Sequence, residues 1–186
     1  MRRLIVFNQV SLDGFIADAK GDMSWAHKED PEWNAFAAEN ASGEGVLLFG
    51  RVTYDLMASY WPSPAALKNA REVAEGMNRM QKIVFSRKMK KATWQNTTLV
   101  KKDIIGAVTK MKNERGPGMV ILGSGSIVSQ LTEAGLIDEY QMIVNPVVLG
   151  KGKTMFEGVK KKVMLRLTRT RPFTNGNVVL WYDRVA

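Results

Sequence analysis

The residues best suited to chemistry form one run in which four small residues, Gly123, Ser124, Gly125 and Ser126, precede Ile127. The run follows an apolar stretch typical of a buried strand and opens a predicted helix. Free backbone N–H groups and the positive end of the helix dipole meet at such a start, and small side chains let a phosphate come close. The run therefore predicts either a phosphate site or a tight strand-to-helix turn without a ligand.

Two further predicted strand ends combine backbone amides with a hydroxyl and a cation. They are Gly50, Arg51, Val52 and Thr53, and Phe85, Ser86 and Arg87. A serine beside an arginine can hold a ribose 2′-phosphate through charge-assisted hydrogen bonds, although most such arginines are simply solvated. Three anion-binding strand ends in one sheet are harder to explain by chance. Together they indicate a site for a dinucleotide with a pyrophosphate and a third phosphate.

Other well-known catalytic patterns are absent from the sequence. The third glycine of a dinucleotide fingerprint would fall at Val128, and Ile143 stands where the ribose-binding acid is expected, which disfavours a standard Rossmann dehydrogenase. No P-loop is present either. Cysteine is absent and His27 is the only histidine, so we expect no metal site and disfavour a Ser-His-Asp triad.

Several acidic residues follow the first predicted strand and are candidates for proton transfer. They are Asp18, Asp22, Glu29, Asp30 and Glu32. Carboxylates in a loop of this kind are mostly solvated. One of them could be a buried proton donor, because burial raises the pKa of a carboxyl group towards neutrality.

These residues must be positioned by strands that alternate with helices up to about residue 145. The predicted strands cover residues 3–10, 46–49, 82–85, 98–101, 119–122, 139–144, 163–171 and 178–184. The first predicted helix begins at Pro31 with Asp30 as its N-cap, and the next three cover residues 52–59, 67–77 and 104–112. The last predicted helix follows the run 123–126 and extends to about residue 134. A long loop is predicted up to Trp25, and a hairpin turn at Asn175-Gly176.

This alternation predicts an α/β fold with a mixed, mainly parallel sheet flanked by helices on both faces and closed by an antiparallel C-terminal hairpin. Ligands of such sheets bind at the carboxyl ends of the strands. Gly14, Gly50, Ser86 and Gly123 fall at those ends. The candidate phosphate-binding residues are therefore expected at one edge of the sheet.

The chain has 186 residues, a formal net charge of +9 and no cysteine. We expect one domain over residues 1–186 and a cytoplasmic location, because no apolar run is long enough for a signal peptide or a membrane span. The positive charge fits a solvated basic surface, phosphate binding or, third, a nucleic acid. The basic clusters at residues 87–91 and 160–162 contain no aromatic residues, which disfavours a nucleic-acid groove.

Three groups of residues, in order along nearly the whole chain, resemble one known family. They are Ser11–Ala17 with Trp25, Gly50–Tyr54, and Gly135–Glu139 followed by Pro146–Lys153 and Phe156. These motifs resemble the dihydrofolate-reductase-like superfamily, in particular the reductase (C-terminal) domain of the bacterial bifunctional riboflavin-biosynthesis deaminase–reductase. The resemblance implies NADPH as cofactor and hydride transfer to a C=N or C=O group of a pterin- or pyrimidine-like heterocycle. The implied reactions are those of dihydrofolate reductase and of 5-amino-6-(5-phosphoribosylamino)uracil reductase.

The resemblance also implies roles for individual residues. It places Ile16 and Ala17 beside the nicotinamide, Gly50–Thr53 and Gly123–Ile127 around the pyrophosphate, and Phe85, Ser86 and Arg87 on the 2′-phosphate and adenine side. On the substrate side we expect Asp13, Trp25, Asn34 and Phe36, with Glu32 as the proton donor. Asn34 stands near the position where dihydrofolate reductases carry an acid, and Gly123 where riboflavin reductases generally have Glu. The motifs therefore do not name the substrate.

Two alternatives stay open at this point. The first is a module that binds NADPH without catalysis, and the second is a basic nucleic-acid-binding protein. Relatives in this branch are often homodimers, and the apolar segment Asn177–Tyr182 is either part of such an interface or an ordinary core strand.

Overall fold

The computed structural model describes residues 1–26 and 30–185. Within these ranges, ten strands form two sheets. The strands are β1 (Leu4–Ser11), β2 (Phe15–Asp18), β3 (Val46–Gly50), β4 (Gln81–Phe85), β5 (Thr97–Val100), β6 (Met119–Leu122), β7 (Glu139–Asn145), β8 (Gly152–Thr154), β9 (Leu165–Pro172) and β10 (Val178–Arg184). β2 pairs with β8, and the other eight strands form one sheet in the order β5-β4-β3-β6-β1-β7-β10-β9.

The same part of the chain contains six α-helices and one short 3₁₀ turn at Ser24–Ala26. The helices are α1 (Pro31–Ser42), α2 (Arg51–Tyr60), α3 (Pro64–Asn69), α4 (Arg71–Arg79), α5 (Ile104–Asn113) and α6 (Gly125–Glu133). Helix α1 begins as predicted, because the Asp30 carboxylate accepts a hydrogen bond from the Trp33 N–H at 2.8 Å. None of the described helices is both long enough and apolar enough to cross a membrane.

The pairing of the strands confirms the predicted α/β architecture. Every pairing from β5 across to β7 is parallel, whereas β10 runs antiparallel to both β7 and β9. The turn between β9 and β10 contains Gly176 at φ +88°, a left-handed conformation that favours glycine. The sheet is therefore mixed, mainly parallel and closed by the expected antiparallel hairpin.

Helices cover both faces of the large sheet, as the sequence predicts. On one face, Val128 and Leu131 of α6 pack with Ile121 of β6 in a fully buried cluster. On the other face, Tyr54 of α2 packs with Phe49 of β3, with ring centroids 6.5 Å apart. Full burial of an apolar side chain of this size stabilises the fold by about 1.5–3 kcal/mol.

The order of the strands creates a crevice between the neighbouring strands β3 and β6. The chain leaves β3 through α2 and continues outwards to β4, whereas it leaves β6 through α6 and crosses in the opposite direction to β7. Connections that diverge in this way open a gap outside the carboxyl ends of the two strands, which is where open α/β sheets bind ligands. Gly50 and Gly123 lie at this gap.

Two predicted elements differ from the structure. The predicted loop before Trp25 contains β2, whose partner β8 is only three residues long and was not predicted. The predicted helix over residues 67–77 is two helices, because Ala70 adopts φ −152° and ψ 65°. The bend lets α4 pack closely against α1, where a Cβ atom on Gly76 would overlap the Ala41 carbonyl oxygen. The candidates His27 and Glu29 lie outside the described residues.

Candidate functional site

The three predicted phosphate-binding segments end at one edge of the sheet. Gly50 pairs in register with Phe85, so the ends of β3 and β4 lie side by side. Leu48 pairs with Ile121, two residues before Gly50 and Gly123, so the ends of β3 and β6 are also level. Neighbouring strands are about 4.8 Å apart. The three segments therefore span roughly two strand spacings, as the sequence predicts.

The turns after β3 and β6 are joined to each other by two hydrogen bonds. The Gly50 N–H donates to the Ser124 hydroxyl oxygen at 2.7 Å, and the Ser124 N–H donates to the Thr53 hydroxyl oxygen at 3.0 Å. Gly123 and Ser124 both have φ of +58°, and a Cβ atom on Gly123 would lie 2.8 Å from the Thr53 hydroxyl oxygen. Glycine is therefore required at position 123 by both its backbone conformation and the close approach of Thr53.

Helix α6 consequently begins without a side-chain cap. Ser124 is its N-cap residue, but the serine hydroxyl accepts from Gly50 rather than from its own helix. The N–H groups of Ile127 and Val128 donate to the Ser124 carbonyl oxygen, at 2.8 and 3.0 Å. The N–H groups of Gly125 and Ser126 have no partner among the described residues. Two free amides at the positive end of a helix form a site for an anion.

The two residues expected beside a nicotinamide, Ile16 and Ala17, lie in β2, and Ile16 contacts the same helix start. A Cβ atom on Gly125 would lie 3.2 Å from the Ile16 side chain and 2.9 Å from the Thr154 carbonyl oxygen, so β2 and β8 pass directly over α6. A Cβ atom on Gly152 would overlap the Ala17 carbonyl oxygen, which explains glycine in β8. The structure therefore brings Ile16 next to Gly125, whereas Ala17 lies against Gly152 of β8.

Asp13 fixes the loops that carry this small sheet. Its carboxylate accepts hydrogen bonds from the Ser11 hydroxyl at 2.6 Å, from the Gly150 N–H at 2.7 Å and from the Leu149 N–H at 3.2 Å. The Ser11 hydroxyl, with these backbone amides, lowers the pKa of Asp13. Asp13 thus joins the loop after β1 to the loop before β8, the two segments that carry the motifs of the resemblance.

The end of β4 supplies the cationic side of the site. The Ser86 N–H donates to the Val100 carbonyl oxygen at 3.0 Å, and the Ser86 hydroxyl oxygen accepts from the Met89 N–H at 3.0 Å. Arg87 is exposed and forms no ion pair with a described residue. Arg51 is also exposed but pairs with Asp55 at 3.0 Å, one turn along α2. Arg87 is therefore the more available of the two guanidinium groups.

The predicted substrate-side residues are more scattered than the cofactor-side residues. Phe36 is buried in an aromatic cluster with Trp33 and Phe173, with ring centroids 5.3–5.5 Å apart. Asn34 is exposed on α1, and Trp25 is half-buried, with its indole N–H donating to the Asp22 carbonyl oxygen at 3.2 Å. None of the four substrate-side residues, Asp13 included, contacts Gly50 or Gly123 among the described hydrogen bonds and ring contacts.

Glu32 does not have the buried position that a proton donor needs. Its side chain is 43% exposed and pairs with Arg171 at 3.1 Å. The buried carboxyl group of this region is Asp30, which accepts from the Thr174 hydroxyl at 2.6 Å. The Thr174 hydroxyl and the Trp33 amide lower the pKa of Asp30. Asp30 therefore caps α1 as an ionised group.

The sequence analysis missed Asn8, a buried residue of β1 that contacts the phosphate turn. Its side-chain oxygen accepts from the Gly123 N–H, and its amide nitrogen donates to the Gly123 carbonyl oxygen at 3.1 Å. The available signal was a carboxamide at position 8, which follows the buried apolar residues Leu4 and Val6 on the same face of β1.

Comparison with known proteins agrees with this architecture. The sequence model of the RibD C-terminal domain family matches residues 2–179. The chain belongs to the RibD C-terminal domain family. The chain is 31% identical over 181 residues to the uncharacterized protein YyaP of Bacillus subtilis (strain 168), covering 97% of this chain and 94% of that protein.

Solved structures show that the chain has a dihydrofolate-reductase-like fold. Dihydrofolate reductase from Enterococcus faecalis, in complex with NADP(H) and RAB-propyl, superimposes with a TM-score of 0.68 at 17% identity, covering 99% of this chain and 97% of that one. The diaminohydroxyphosphoribosylaminopyrimidine deaminase/5-amino-6-(5-phosphoribosylamino)uracil reductase from Thermotoga maritima gives a TM-score of 0.70 at 16% identity, covering 99% of this chain and 57% of that one. The recognised family and fold are thus those implied by the sequence motifs.

The donor groups of the crevice fit a phosphorylated dinucleotide. Two free amides at the start of α6, which follows β6, suit one phosphate. The side chains of Ser86 and Arg87, after β4 and so two strands away, suit a second phosphate. Ile16, half-buried beside Gly125, offers an apolar contact for a ring.

Proposed function

We propose that the protein is a cytoplasmic NADPH-dependent reductase that transfers a hydride to a C=N or C=O group of a pterin- or pyrimidine-like heterocycle. The free amides of Gly125 and Ser126, in the crevice where the connections of β3 and β6 diverge, carry this proposal. NADPH supplies the hydride when it is bound. The family and the fold agree with this reaction class.

Each part of the crevice has a separate task in this proposal. The amides at the start of α6, with those at the start of α2, hold the pyrophosphate. Ser86 and Arg87 bind the 2′-phosphate, and Ile16 and Ala17 form the floor on which the nicotinamide lies. Holding two reactants in one geometry contributes a large part of the rate of a bimolecular reaction. Asp13 contributes indirectly, because it fixes the loops that position β2 and β8.

Binding of the two nicotinamide cofactors tests the proposal. We expect isothermal titration to show NADPH binding at least about tenfold tighter than NADH, because a 2′-phosphate paired with an arginine adds about 1.4 kcal/mol or more. Arg87→Gln should remove most of this preference without weakening NADH. Lys90→Gln, which removes an exposed charge three residues away, is the matched control. Equal binding of both cofactors to the unaltered protein contradicts the cofactor assignment.

A catalytically inactive NADPH-binding module is the second candidate, and the exposure of Glu32 favours it. A screen of NADPH oxidation with pterins, flavin precursors and small carbonyl compounds separates the two candidates. Turnover of any of these compounds establishes the reductase. Binding of NADPH with no turnover of any compound establishes the inactive module. Glu32→Gln should abolish turnover if Glu32 donates the proton.

A nucleic-acid-binding role is the third candidate, and only the net charge of +9 favours it. The basic clusters at 87–91 and 160–162 themselves contain no aromatic residue on which a base could stack. We expect gel-shift assays at about physiological salt to show no specific complex, because non-specific electrostatic binding fades as salt rises.

The protein also has a surface that suits a homodimer. Met142, Leu180 and Tyr182 lie on the face of β7 and β10 that α6 only partly covers, and the neighbouring side chains of Leu165 and Leu167 are exposed. Apolar surface left uncovered by helices is typical of an interface. We expect light scattering to give twice the mass of the chain, and Leu167→Arg to give the monomer mass.

A further inference from the structure

Asn8 occupies the point at which the pairing of β1 with β6 stops. The last registered pair of these strands is Phe7 with Leu122, and the next residues along are Asn8 and Gly123. Gly123 leaves the strand in a left-handed conformation, with φ of +58°, so its backbone no longer faces a strand partner. The Asn8 carboxamide bonds both the N–H and the carbonyl oxygen of Gly123. The Asn8 side chain thus replaces the missing strand hydrogen bonds of both backbone groups of Gly123.

The position of Asn8 is fixed by burial and by a third contact. The residue is 4% exposed, and its amide nitrogen also lies 2.9 Å from the Met155 sulfur atom. A buried carboxamide that is fully engaged has little freedom to turn away, because an unpaired polar group in this position is costly. Asn8 therefore holds Gly123 in one orientation.

The turn that Asn8 holds is conformationally unfavourable without support. Ser124 follows Gly123 in the left-handed region, where a residue with a side chain is less stable by about 1–2 kcal/mol. Such conformations persist when the surrounding structure fixes them. In this conformation of the turn, the Ser124 hydroxyl accepts from the Gly50 N–H at 2.7 Å. The same conformation leaves the Gly125 and Ser126 amides free.

We propose that Asn8 is a positioning residue of the phosphate site, which acts by holding the Gly123-Ser124 turn so that the Gly125 and Ser126 amides point to the pyrophosphate of NADPH. This inference rests on the proposed function. It assigns to a strand residue with no access to solvent a selective effect on one half of the cofactor. The 2′-phosphate end, at Ser86 and Arg87, lies two strands away and does not depend on Asn8.

Two probes distinguish selective positioning from a general structural effect. We expect Asn8→Leu, which keeps the volume and removes the hydrogen bonds, to weaken NADPH binding at least tenfold in isothermal titration. Adenosine 2′-monophosphate, which reaches only the Ser86–Arg87 end, should bind within twofold of the unaltered protein in a chemical-shift titration. Asn8→Ala serves as a second variant in case the leucine is not accommodated.

Thr132→Val is the matched control for loss of a buried hydrogen bond. Thr132 is buried in the last turn of α6, and its hydroxyl lies 3.0 Å from the Tyr140 hydroxyl. We expect this variant to bind NADPH within twofold of the unaltered protein, even if its stability falls as far as that of the Asn8 variants.

The outcomes separate the inference from the proposed function. If the folded Asn8 variants bind NADPH as well as the unaltered protein does, or lose both probes equally, the positioning role is overturned and the reductase proposal stands. If neither Asn8 variant folds, Asn8 is a general structural residue and the selective role is overturned too. If the unaltered protein does not bind NADPH, the proposed function fails and the inference fails with it.

Discussion

Helices α1 and α6 both begin at the carboxyl edge of the sheet, but their first backbone N–H groups differ in whether the chain provides a hydrogen-bond acceptor. Helix α1 has Pro31 in its first position, and the Asp30 carboxylate accepts from the Trp33 N–H. Helix α6 has a left-handed N-cap residue, Ser124, whose hydroxyl is bonded elsewhere. The start of α1 is satisfied by the chain itself, whereas the start of α6 keeps two donors for a ligand.

The difference indicates that the start of α1 contributes to the stability of the fold and the start of α6 to ligand binding. A capped helix start contributes to the free energy of unfolding, typically by about 1 kcal/mol. An uncapped helix start in a crevice has free N–H groups, which an anionic ligand stabilises when it binds. Changes at α1 are therefore expected to alter stability alone, and changes at α6 to alter binding as well.

The largest effect is expected for Gly123→Ala at the start of α6. The new methyl group meets the Thr53 hydroxyl and the backbone is left-handed, so we expect a loss of about 2–3 kcal/mol of stability and at least about thirtyfold weaker NADPH binding. Gly158→Ala is the control, since Gly158 is also left-handed, at φ +84°, but has open space around it. Urea denaturation and titration measure the two effects; equal behaviour of both variants contradicts the steric argument.

The second effect is expected for Asp30→Ala at the start of α1. The change removes the helix cap and leaves the Thr174 hydroxyl without its partner, so we expect a loss of about 2 kcal/mol in urea denaturation. NADPH binding should stay within twofold of the unaltered protein. A fall in cofactor affinity as large as that of Gly123→Ala would break the division between the two helices.

The third effect concerns the C-terminal end of α4, where the last carbonyl groups accept hydrogen bonds from another residue of the chain. The Lys82 ammonium is buried and donates to the carbonyl oxygens of Met77, Asn78 and Met80 at 2.6–3.1 Å. Burial lowers the pKa of Lys82 from 10.5 to about 8. Between these two values the unfolded chain binds more protons than the folded one, so stability should rise with pH, by about 1–2 kcal/mol.

The Lys82→Met variant isolates this contribution. We expect it to be less stable at pH 7, because the helix carbonyl groups lose their donor, and to lack the additional rise between pH 8 and 10. Urea denaturation of both proteins across this range measures the difference in slope. If stability changes with pH in the same way in both proteins, the Lys82 amine has the same pKa in the folded and the unfolded state.

The smallest effect on stability is expected for Ser126→Asp, which places a carboxylate at the free amides of α6. The charge should stabilise the helix by about 0.5 kcal/mol and weaken NADPH binding roughly tenfold, because it competes with the phosphate for the same donors. Ala65→Asp, in the equivalent position of α3, is the control and should leave NADPH binding unchanged. A stabilised Ser126→Asp variant with unaltered affinity would show that the phosphate binds elsewhere.

Much of the fold and of the cofactor side could be predicted from the sequence. The apolar run Val46–Phe49 predicts a buried strand because both of its faces are covered, and Asp30-Pro31 predicts a helix start because each residue has a local role there. The small sheet β2/β8 could not be predicted in this way. Its strands have three or four residues and are held by distant groups, such as the Asp13 carboxylate and the close approach at Gly152.

The rest of the site depends on contacts that no local pattern contains. Nothing around Ala70 in the sequence marks a break, since neither glycine nor proline stands there. Asn8 is 115 residues away from Gly123 along the chain, and only the register of β1 with β6 brings them together. Which carboxylate near the start of α1 is buried could not be predicted, because exposed Glu32 and buried Asp30 have the same chemistry and differ only in the packing around them.

The two hydroxyl bridges between the turns after β3 and β6 have a consequence for the rate and entropy of binding. They hold the amides of the crevice in place before any ligand arrives, so little backbone motion has to be frozen when a phosphate docks. Association with a preformed site of this kind proceeds close to the ordinary docking rate, and affinity is then set mainly by how slowly the ligand leaves. Removing the Ser124 hydroxyl should therefore shorten the residence time of the cofactor and also slow its arrival.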